Sequence, residues 1–111
     1  MATDPHHQLN ILWHELHPKA QLVRRDLIAH CPLYILEGLD ETHAVVLFVG
    51  QPARYAHWSG ELSHTITRPF AHVRINGELV NEVKLATAMA GRLGVPVGLV
   101  TGDDVICRES E

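Results

Sequence analysis

Three side chains in the middle of the sequence are of the types that bind zinc or carry protons. His57 and His64 lie in one polar segment, and Glu82 comes where the next helix is expected to begin. Imidazole and carboxylate donors that leave one coordination position open suit a catalytic zinc ion, which polarises a carbonyl group and lowers the pKa of its bound water. The same side chains without a metal could do acid–base work or bind a small ligand. Both chemistries stay open on these residues alone.

A second group of potential donors lies near the start of the chain. Asp4, His6 and His7 come just before a predicted helix, whose N-terminal end favours an anionic ligand. On spacing alone, such residues at a chain start belong more often to a solvated terminus than to a metal site. In the same way, the helix dipole alone could account for Glu82, and Asp103 could simply cap a short helix.

Two apolar strands and one helix must position these side chains. Residues 44–49 and 97–100 are apolar without alternation, which predicts neighbouring or near-neighbouring parallel central strands covered on both faces. Asn81 is placed to cap a helix over residues 82–93, whose apolar residues form one stripe. Residues 51–69 have no sustained period and predict a long loop, a kind of segment that is often functional.

The remaining segments complete an α/β pattern. The Asn76-Gly77 pair predicts a hairpin over residues 70–80, and apolar spacing predicts an amphipathic helix over residues 8–17. A short strand is expected at 20–24 and a helical turn at 26–30. We therefore predict a single α/β domain over residues 1–111, a small two-layer or three-layer fold with a mainly parallel central sheet and a hairpin.

Composition excludes several classes of protein. The 111 residues are 46% hydrophobic and 20% charged, a balance that can build a core. Nine Lys and Arg residues against thirteen Asp and Glu give a net charge of −4, which argues against nucleic-acid and membrane partners. Cys31 and Cys107 are not in a Cys-x-x-Cys spacing, and no signal peptide or membrane-length apolar run is seen. We expect a soluble cytoplasmic protein.

A series of short segments follows a recognisable order along nearly the whole chain. They are Thr3-Asp4-Pro5-His6, Leu16-His17-Pro18-Lys19-Ala20, Leu36-Glu37-Gly38-Leu39-Asp40, Leu47-Phe48-Val49-Gly50 with Ala53-Arg54, Leu62-Ser63-His64-Thr65, Val73-Arg74-Ile75-Asn76-Gly77 with Asn81-Glu82, and Gly94-Val95-Pro96-Val97 through Gly102-Asp103-Asp104. Together they resemble the binuclear zinc D-aminopeptidases, which remove D-amino acids from the amino ends of peptides.

The resemblance implies roles for individual residues. The histidine of the family's Asn-Asp-x-His segment is a zinc ligand and maps to His6, and the glutamate after the hairpin is another ligand and maps to Glu82. The Ser-His-Ser/Thr histidine is implicated in catalysis and maps to His64. The family's Gly-Tyr-His-Ala-Arg segment carries a further ligand histidine, but here Pro52 occupies that position, so His57 is the candidate replacement. From these motif contexts we expect His64 and Glu82 to approach each other in one cleft lined by residues 51–69, with His6 or His57 adjacent.

The chain is similar to the central part of the family. The family's Asp-x-Glu ligand pair would lie before Met1, and the family continues past Asp104. The resemblance therefore implies at most a single zinc site with His6, Glu82 and His57 as protein ligands, unless another subunit contributes donors.

Three functions remain open at this stage. The first is a zinc-dependent hydrolase of a peptide or small amide, in which metal-bound water attacks and His64 acts as acid–base catalyst or oxyanion stabiliser. The second is a descendant that has lost zinc and does acid–base or ligand-binding work. The third is a structural or companion subunit. In each case we expect a homo-oligomer, because a domain without the family's flanks leaves sheet edge and apolar surface uncovered.

Overall fold

The structure, a computed structural model, describes residues 1–4, 11–24, 33–66 and 72–111. The predictions for His6, for the turn at 26–30 and for the start of the hairpin lie outside these residues. The chain forms two compact units, Met1–Asp40 and Glu41–Glu111. The single-domain organisation stays a prediction. Within the described part, no helix is long and apolar enough to cross a membrane.

A small parallel strand pair organises the first unit. Strand β1 (Ala2–Asp4) pairs in parallel with β2 (Leu22–Arg24), which lies within the predicted strand at 20–24. The hydroxyl of Thr3 donates a hydrogen bond to the carbonyl of Ile35, 3.2 Å away. Ile35 and its neighbour Leu36 are buried. This bond therefore ties β1 to an apolar segment of its own unit.

The predicted helix over residues 8–17 is wrong in its described part, which begins at residue 11. A short 3₁₀ turn, Trp13–Glu15, is present there instead. Leu12 and Trp13 are 49% and 70% exposed, so the apolar stripe has no packing energy to offset the cost of helix nucleation. Leu16 is already extended, with ψ 149°, and Pro18 disfavours the helical conformation for the residue before it.

A longer parallel pair organises the second unit. Strand β3 (Val46–Gln51) pairs in parallel with β6 (Val97–Gly102), as the two apolar segments predict. Helix α1 (Glu82–Arg92) contacts both strands, and helix α2 (Asp104–Glu109) packs against β6. Parallel strands joined through a helix define an α/β fold. The predicted fold class is confirmed.

One face of β3 differs from its prediction. Val46 and Phe48 are buried, whereas Leu47 and Val49 are 57% and 72% exposed. On β6, Leu99 is 45% exposed. The expectation of a strand covered on both faces is therefore wrong for this chain, because burial alternates along β3 with the two-residue period of a strand.

The hairpin and α1 form where the sequence predicts them. Strands β4 (Arg74–Ile75) and β5 (Glu78–Leu79) are antiparallel, and Asn76 and Gly77 between them have φ values of 51° and 87°. These positive values are those of the two-residue turns that suit right-twisted hairpins. Asn81 then caps α1, since its side chain accepts a hydrogen bond from the backbone N–H of Lys84 at 2.7 Å.

Gly102 ends β6 at a point where the chain has no room for a side chain. A Cβ atom there would clash with the carbonyl oxygen of Gln51 and with the side chain of Ile106. Because the first of these is backbone, the two strands and α2 would have to separate to admit it. Gly91 in α1 is the opposite case, since nothing lies within 4 Å of its Cβ position.

The two glycines give a matched test of this packing. We expect Gly102→Ala to lower the free energy of unfolding by about 1–3 kcal/mol or more, because the added methyl group overpacks a backbone contact. Gly91→Ala should raise it by about 0.5–1 kcal/mol, because alanine loses less conformational freedom in a helix. Urea unfolding followed by circular dichroism measures both. Equal effects of the two substitutions would contradict the close approach at Gly102.

Candidate active site

A buried carboxylate lies at the start of α1. Glu82 is the first residue of the helix, and only 1% of its surface is exposed. The backbone N–H of Ile66 donates a hydrogen bond to Glu82 Oε1 at 2.5 Å. The partial positive charge of a helix N-terminus also favours a negative group at this position. The fold thus supplies partners for a charge that would otherwise be costly to bury.

The structure brings His64 to this carboxylate. His64 Nε2 lies 3.6 Å from Glu82 Oε1, and 26% of the histidine side chain is exposed. The backbone N–H of His64 donates to the carbonyl of Ala53 at 3.1 Å, and the ring atom Nδ1 lies 2.8 Å from the carbonyl oxygen of Leu62. Contacts of its backbone N–H and of its Nδ1 therefore fix the position of the His64 imidazole, and part of the ring remains exposed to solvent.

The contact with Leu62 determines which ring nitrogen can act as a base. A carbonyl oxygen only accepts hydrogen bonds, so we assign the proton to Nδ1 of His64. In the neutral ring, Nε2 then carries the lone pair and lies on the side of Glu82. Nε2 and the carboxylate oxygen are then both hydrogen-bond acceptors. Two acceptors that face each other favour the binding of a proton or another cation between them.

The loop that carries His64 has an unusual backbone. Ala56, Leu62 and Ile66 all have positive φ, at 60°, 48° and 62°. A side-chain-bearing residue in this region costs roughly 1–2 kcal/mol. Thr65, which is 2% exposed, helps to hold the conformation, because its hydroxyl accepts a hydrogen bond from the backbone N–H of Tyr55 at 3.1 Å. Strain of this kind persists where the surrounding contacts over-determine the backbone.

A polar network connects the end of α2 with the start of α1. Glu109 Oε1 pairs with Arg54 Nε at 3.0 Å, and Glu109 Oε2 accepts from the side-chain amide of Asn81 at 3.0 Å. Asn81, 1% exposed, directly precedes Glu82 and caps α1. Both oxygens of Glu109 thus help to fix the loop and the helix between which His64 and Glu82 meet.

Asp103 makes a similar connection at the other end of α2. Its Oδ1 accepts from the backbone N–H of Ile106 at 2.8 Å and caps the helix, while its Oδ2 accepts from the backbone N–H of Glu61 at 2.7 Å. The hydrogen bond from Ile106 is the main cause that lowers the pKa of Asp103 below 3.8. The hydrogen bonds from Glu61 and Val105 and the nearby His57 act in the same direction, against a smaller effect of desolvation.

His57 lies in the same loop but has other contacts. Its ring stacks on Trp58 with centroids 6.4 Å apart, and its Nδ1 is 3.4 Å from both the backbone nitrogen and the hydroxyl of Ser59. No group of three or more His, Cys, Asp or Glu side chains that could hold a metal ion exists among the described residues. His57, His64 and Glu82 therefore form no such three-donor group, and a role of His57 as a zinc ligand stays a prediction.

The donors in the described part fall short of a zinc site. His64 and Glu82 offer an imidazole and a carboxylate, whereas a catalytic zinc ion takes three protein ligands. His6, the other candidate ligand, lies outside the described residues, and Pro52 has no donor side chain.

The comparisons with known proteins settle the family. The sequence pattern of a family described as D-aminopeptidase matches residues 1–111. The chain belongs to the D-aminopeptidase family. A D-aminopeptidase of Bacillus subtilis (strain 168) is 38% identical over 112 residues, an alignment that covers 100% of this chain and 39% of that protein. The resemblance inferred from the ordered segments is confirmed.

A solved structure agrees with the sequence comparison. It is the Zn-dependent D-aminopeptidase DppA from Bacillus subtilis, described as a self-compartmentalizing protease. It matches with a TM-score of 0.82 and 37% identity, over 92% of this chain and 36% of that one. The chain thus spans well under half the length of either relative. The relatives establish family and fold, and the roles of individual residues here remain proposals.

Sequence reasoning missed the residues that support the pair. Asp103 was expected only as a helix cap, and Arg54 and Glu109 were not singled out for any role. Their side chains reach residues that are distant in sequence, with Glu61 and Asp103 42 positions apart. No periodic pattern signals such contacts. The only signal available was the place of Asp103 after the apolar strand β6, at the sheet end where α/β folds place their sites.

Acid should reduce the contribution of Asp103 to the free energy of unfolding only below the pH at which an ordinary aspartate titrates. Since folding lowers its pKa from 3.8, the ionised carboxylate contributes stability that is fully present above pH 3.8 and is lost as the pH falls through the lowered value. We expect the difference in unfolding free energy between wild type and Asp103→Asn to stay constant from neutral pH to about pH 4 and to shrink below it. Urea unfolding over a pH series measures this, with Asp104→Asn as the control. A difference that vanishes already at pH 5 would contradict it.

Proposed function

We propose that this chain takes part in metal-dependent peptide hydrolysis of the D-aminopeptidase type. The observation that carries the proposal is the approach of His64 Nε2 to the buried carboxylate of Glu82, 3.6 Å apart, in a chain that matches the family over residues 1–111. An imidazole with an oriented lone pair beside a carboxylate is an arrangement suited to proton transfer in acyl-transfer chemistry. The substrate class that we propose is a peptide, or a small amide, with a D-amino acid at its amino end.

His64 is the proposed acid–base catalyst. With its proton on Nδ1 held by the Leu62 carbonyl, the ring can accept a proton at Nε2 from an attacking water molecule. The carboxylate of Glu82 would then stabilise the imidazolium by its negative charge. The same Nε2–H can return the proton to the amine that leaves when the peptide bond breaks. The partly exposed edge of the ring gives substrate a route to this nitrogen.

Zinc is the proposed metal, with Glu82 and His6 as two of its proposed ligands. The support is the solved relative, which is described as Zn-dependent, and the buried carboxylate at the start of α1. When bound, zinc would polarise the scissile carbonyl and lower the pKa of water. His57 is left out of this ligand set because its ring contacts Trp58 and Ser59.

Assembly and location complete the proposal. The solved relative is described as self-compartmentalizing, and we propose that this chain also assembles with copies of itself. The apolar residues exposed on β3 support this, since small domains rarely leave such a patch in water. A cytoplasmic location stays a prediction, and so does a companion subunit.

A metal-free function is the second candidate. It is favoured by Pro52, which stands where the family has a ligand histidine, and by the lack of a three-donor group among the described residues. In that case His64 and Glu82 would do acid–base work or bind a small ligand without zinc. The metal content of the purified protein separates the two candidates.

Zinc content should depend on Glu82. We expect protein purified without a tag or chelator to contain zinc, and Glu82→Gln to lower its zinc affinity at least about tenfold, because an amide is a weaker donor than a carboxylate. Elemental analysis and zinc titration measure this. Glu78→Gln, on the exposed hairpin, is the control of equal charge change and should bind like wild type. Wild type without zinc would favour the metal-free candidate.

Activity should depend on His64 and not on an exposed histidine. We expect His64→Ala to lower kcat by about 10²–10⁴-fold, the usual contribution of a positioned acid–base group. His14→Ala, in the exposed 3₁₀ turn, should change neither kcat nor stability. Peptides with a D-residue at the amino end, and their L-counterparts, serve as substrates. If His64→Ala keeps its activity within a few-fold of wild type, His64 is not the catalyst.

A further inference from the structure

We propose that Asp103 is a positioning residue for His64. Its carboxylate joins the start of α2 to the loop that carries the imidazole, and so determines where Nε2 points relative to Glu82. The proposal rests on the function proposed above for what this position achieves, but its geometry stands on hydrogen bonds within the second unit.

Two hydrogen bonds and one peptide bond connect Asp103 with the imidazole of His64. Asp103 Oδ2 accepts from the backbone N–H of Glu61 at 2.7 Å. Glu61 is bonded to Leu62, whose carbonyl oxygen lies 2.8 Å from Nδ1 of His64. A shift of Glu61 therefore moves the oxygen that holds the imidazole ring. The opposite edge of the ring, at Nε2, faces Glu82 at 3.6 Å.

The stretch of the loop around Leu62 needs this connection because the side chain of Leu62 gives it little support. Leu62 has a φ of 48° and is 88% exposed, so it adopts a strained backbone without packing its side chain. Hydrogen bonds hold the backbone on both sides of Leu62. The N–H of Glu61, before it, donates to Asp103, and the N–H of His64, after it, donates to the Ala53 carbonyl. Without the hydrogen bond between Glu61 and Asp103, Leu62 would relax toward an ordinary backbone conformation, and its carbonyl oxygen would move away from Nδ1 of His64.

The two functions of Asp103 require the two oxygens of a carboxylate. Oδ1 caps α2 through the N–H of Ile106, and Oδ2 holds Glu61. Asparagine has one oxygen and one amide group, so it can keep the cap, for which it is a preferred residue, but it presents a donor to a backbone N–H. Asp103→Asn thus separates the link to the loop from the stability of the helix.

Asp104 provides a matched control. Its side chain is 71% exposed and pairs with Arg108 on the surface of α2 at 2.7 Å. Asp104→Asn changes the charge by the same amount one residue away, and none of its described contacts reaches the loop. An effect of Asp103→Asn that Asp104→Asn lacks is therefore due to the link with Glu61.

The first experiment observes His64 without relying on activity. In the full chain with ¹⁵N-labelled histidine, NMR reports the ring nitrogen shifts that distinguish a proton on Nδ1 from one on Nε2. We expect the ring nitrogen shifts of His64 to be the same in wild type and in Asp104→Asn. In Asp103→Asn they should move toward the values of a mixture of the two neutral tautomers. Asp103→Ser, another good cap with a single oxygen, should move them in the same way. Unchanged His64 signals in both Asp103 variants would overturn the proposal.

The second experiment asks whether Asp103 acts through His64. We expect Asp103→Asn to lower kcat by up to about 10²-fold with little change in KM, since small misplacements of a catalytic group cost this much. The same substitution should cost nothing further in a His64→Ala background, because the residue that it positions is gone. An equal loss in both backgrounds would overturn the proposal. If wild type hydrolyses no peptide, the proposed function fails, and the NMR comparison still decides the role of Asp103.

Discussion

The second unit depends on the burial of one negative charge. Glu82 is 1% exposed, and taking an unpaired carboxylate out of water costs several kcal/mol. The chain meets this cost with the N-terminus of α1, the N–H of Ile66 and the imidazole of His64. Two of these three partners come from the irregular loop after β3. The loop must therefore return to the helix for the charge to be tolerated, and its closure is a condition of folding as well as of chemistry.

Helix α2, which has only six residues, stabilises the position of this loop against α1. Asp103 at its start reaches the loop, and Glu109 at its end reaches both the loop and the cap of α1. A rigid helix fixes the distance between these two side chains. Small displacements of α2 would reach His64 and Glu82 together, so the packing of Val105 and Ile106 beneath it, both buried, bears directly on the site.

Local signals explain which parts of the fold the sequence predicts. The Asn76-Gly77 turn, the Asn81 cap and the apolar strands β3 and β6 are each specified by neighbouring residues, and all were predicted correctly. The exposed stripe near Trp13 has the right spacing for a helix but nothing to pack against in the described part, so the same reasoning fails there. The parallel pairing of β1 was not predicted, because three residues carry no usable periodicity.

The candidate site divides in the same way. His64 and Glu82 were predicted as neighbours from the order of motifs, and they lie together. The expected donor His57 contacts Trp58 and Ser59, which its spacing could not indicate. Bonds from a side chain to a distant backbone N–H, such as that of Asp103, depend on the finished fold and leave no mark in the sequence.

The pairing of β3 with β6 also determines the order in which the unit can be built. The hydrogen bond between Gly50 and Thr101 joins residues 51 positions apart, so a long stretch of chain must close before the two strands meet. Contacts of this separation slow folding relative to helical proteins of the same size. On the ribosome, His64 and Glu82 emerge well before β6 and Asp103 do. The nascent chain therefore carries both reactive side chains for some time before the backbone that aligns them has been synthesised.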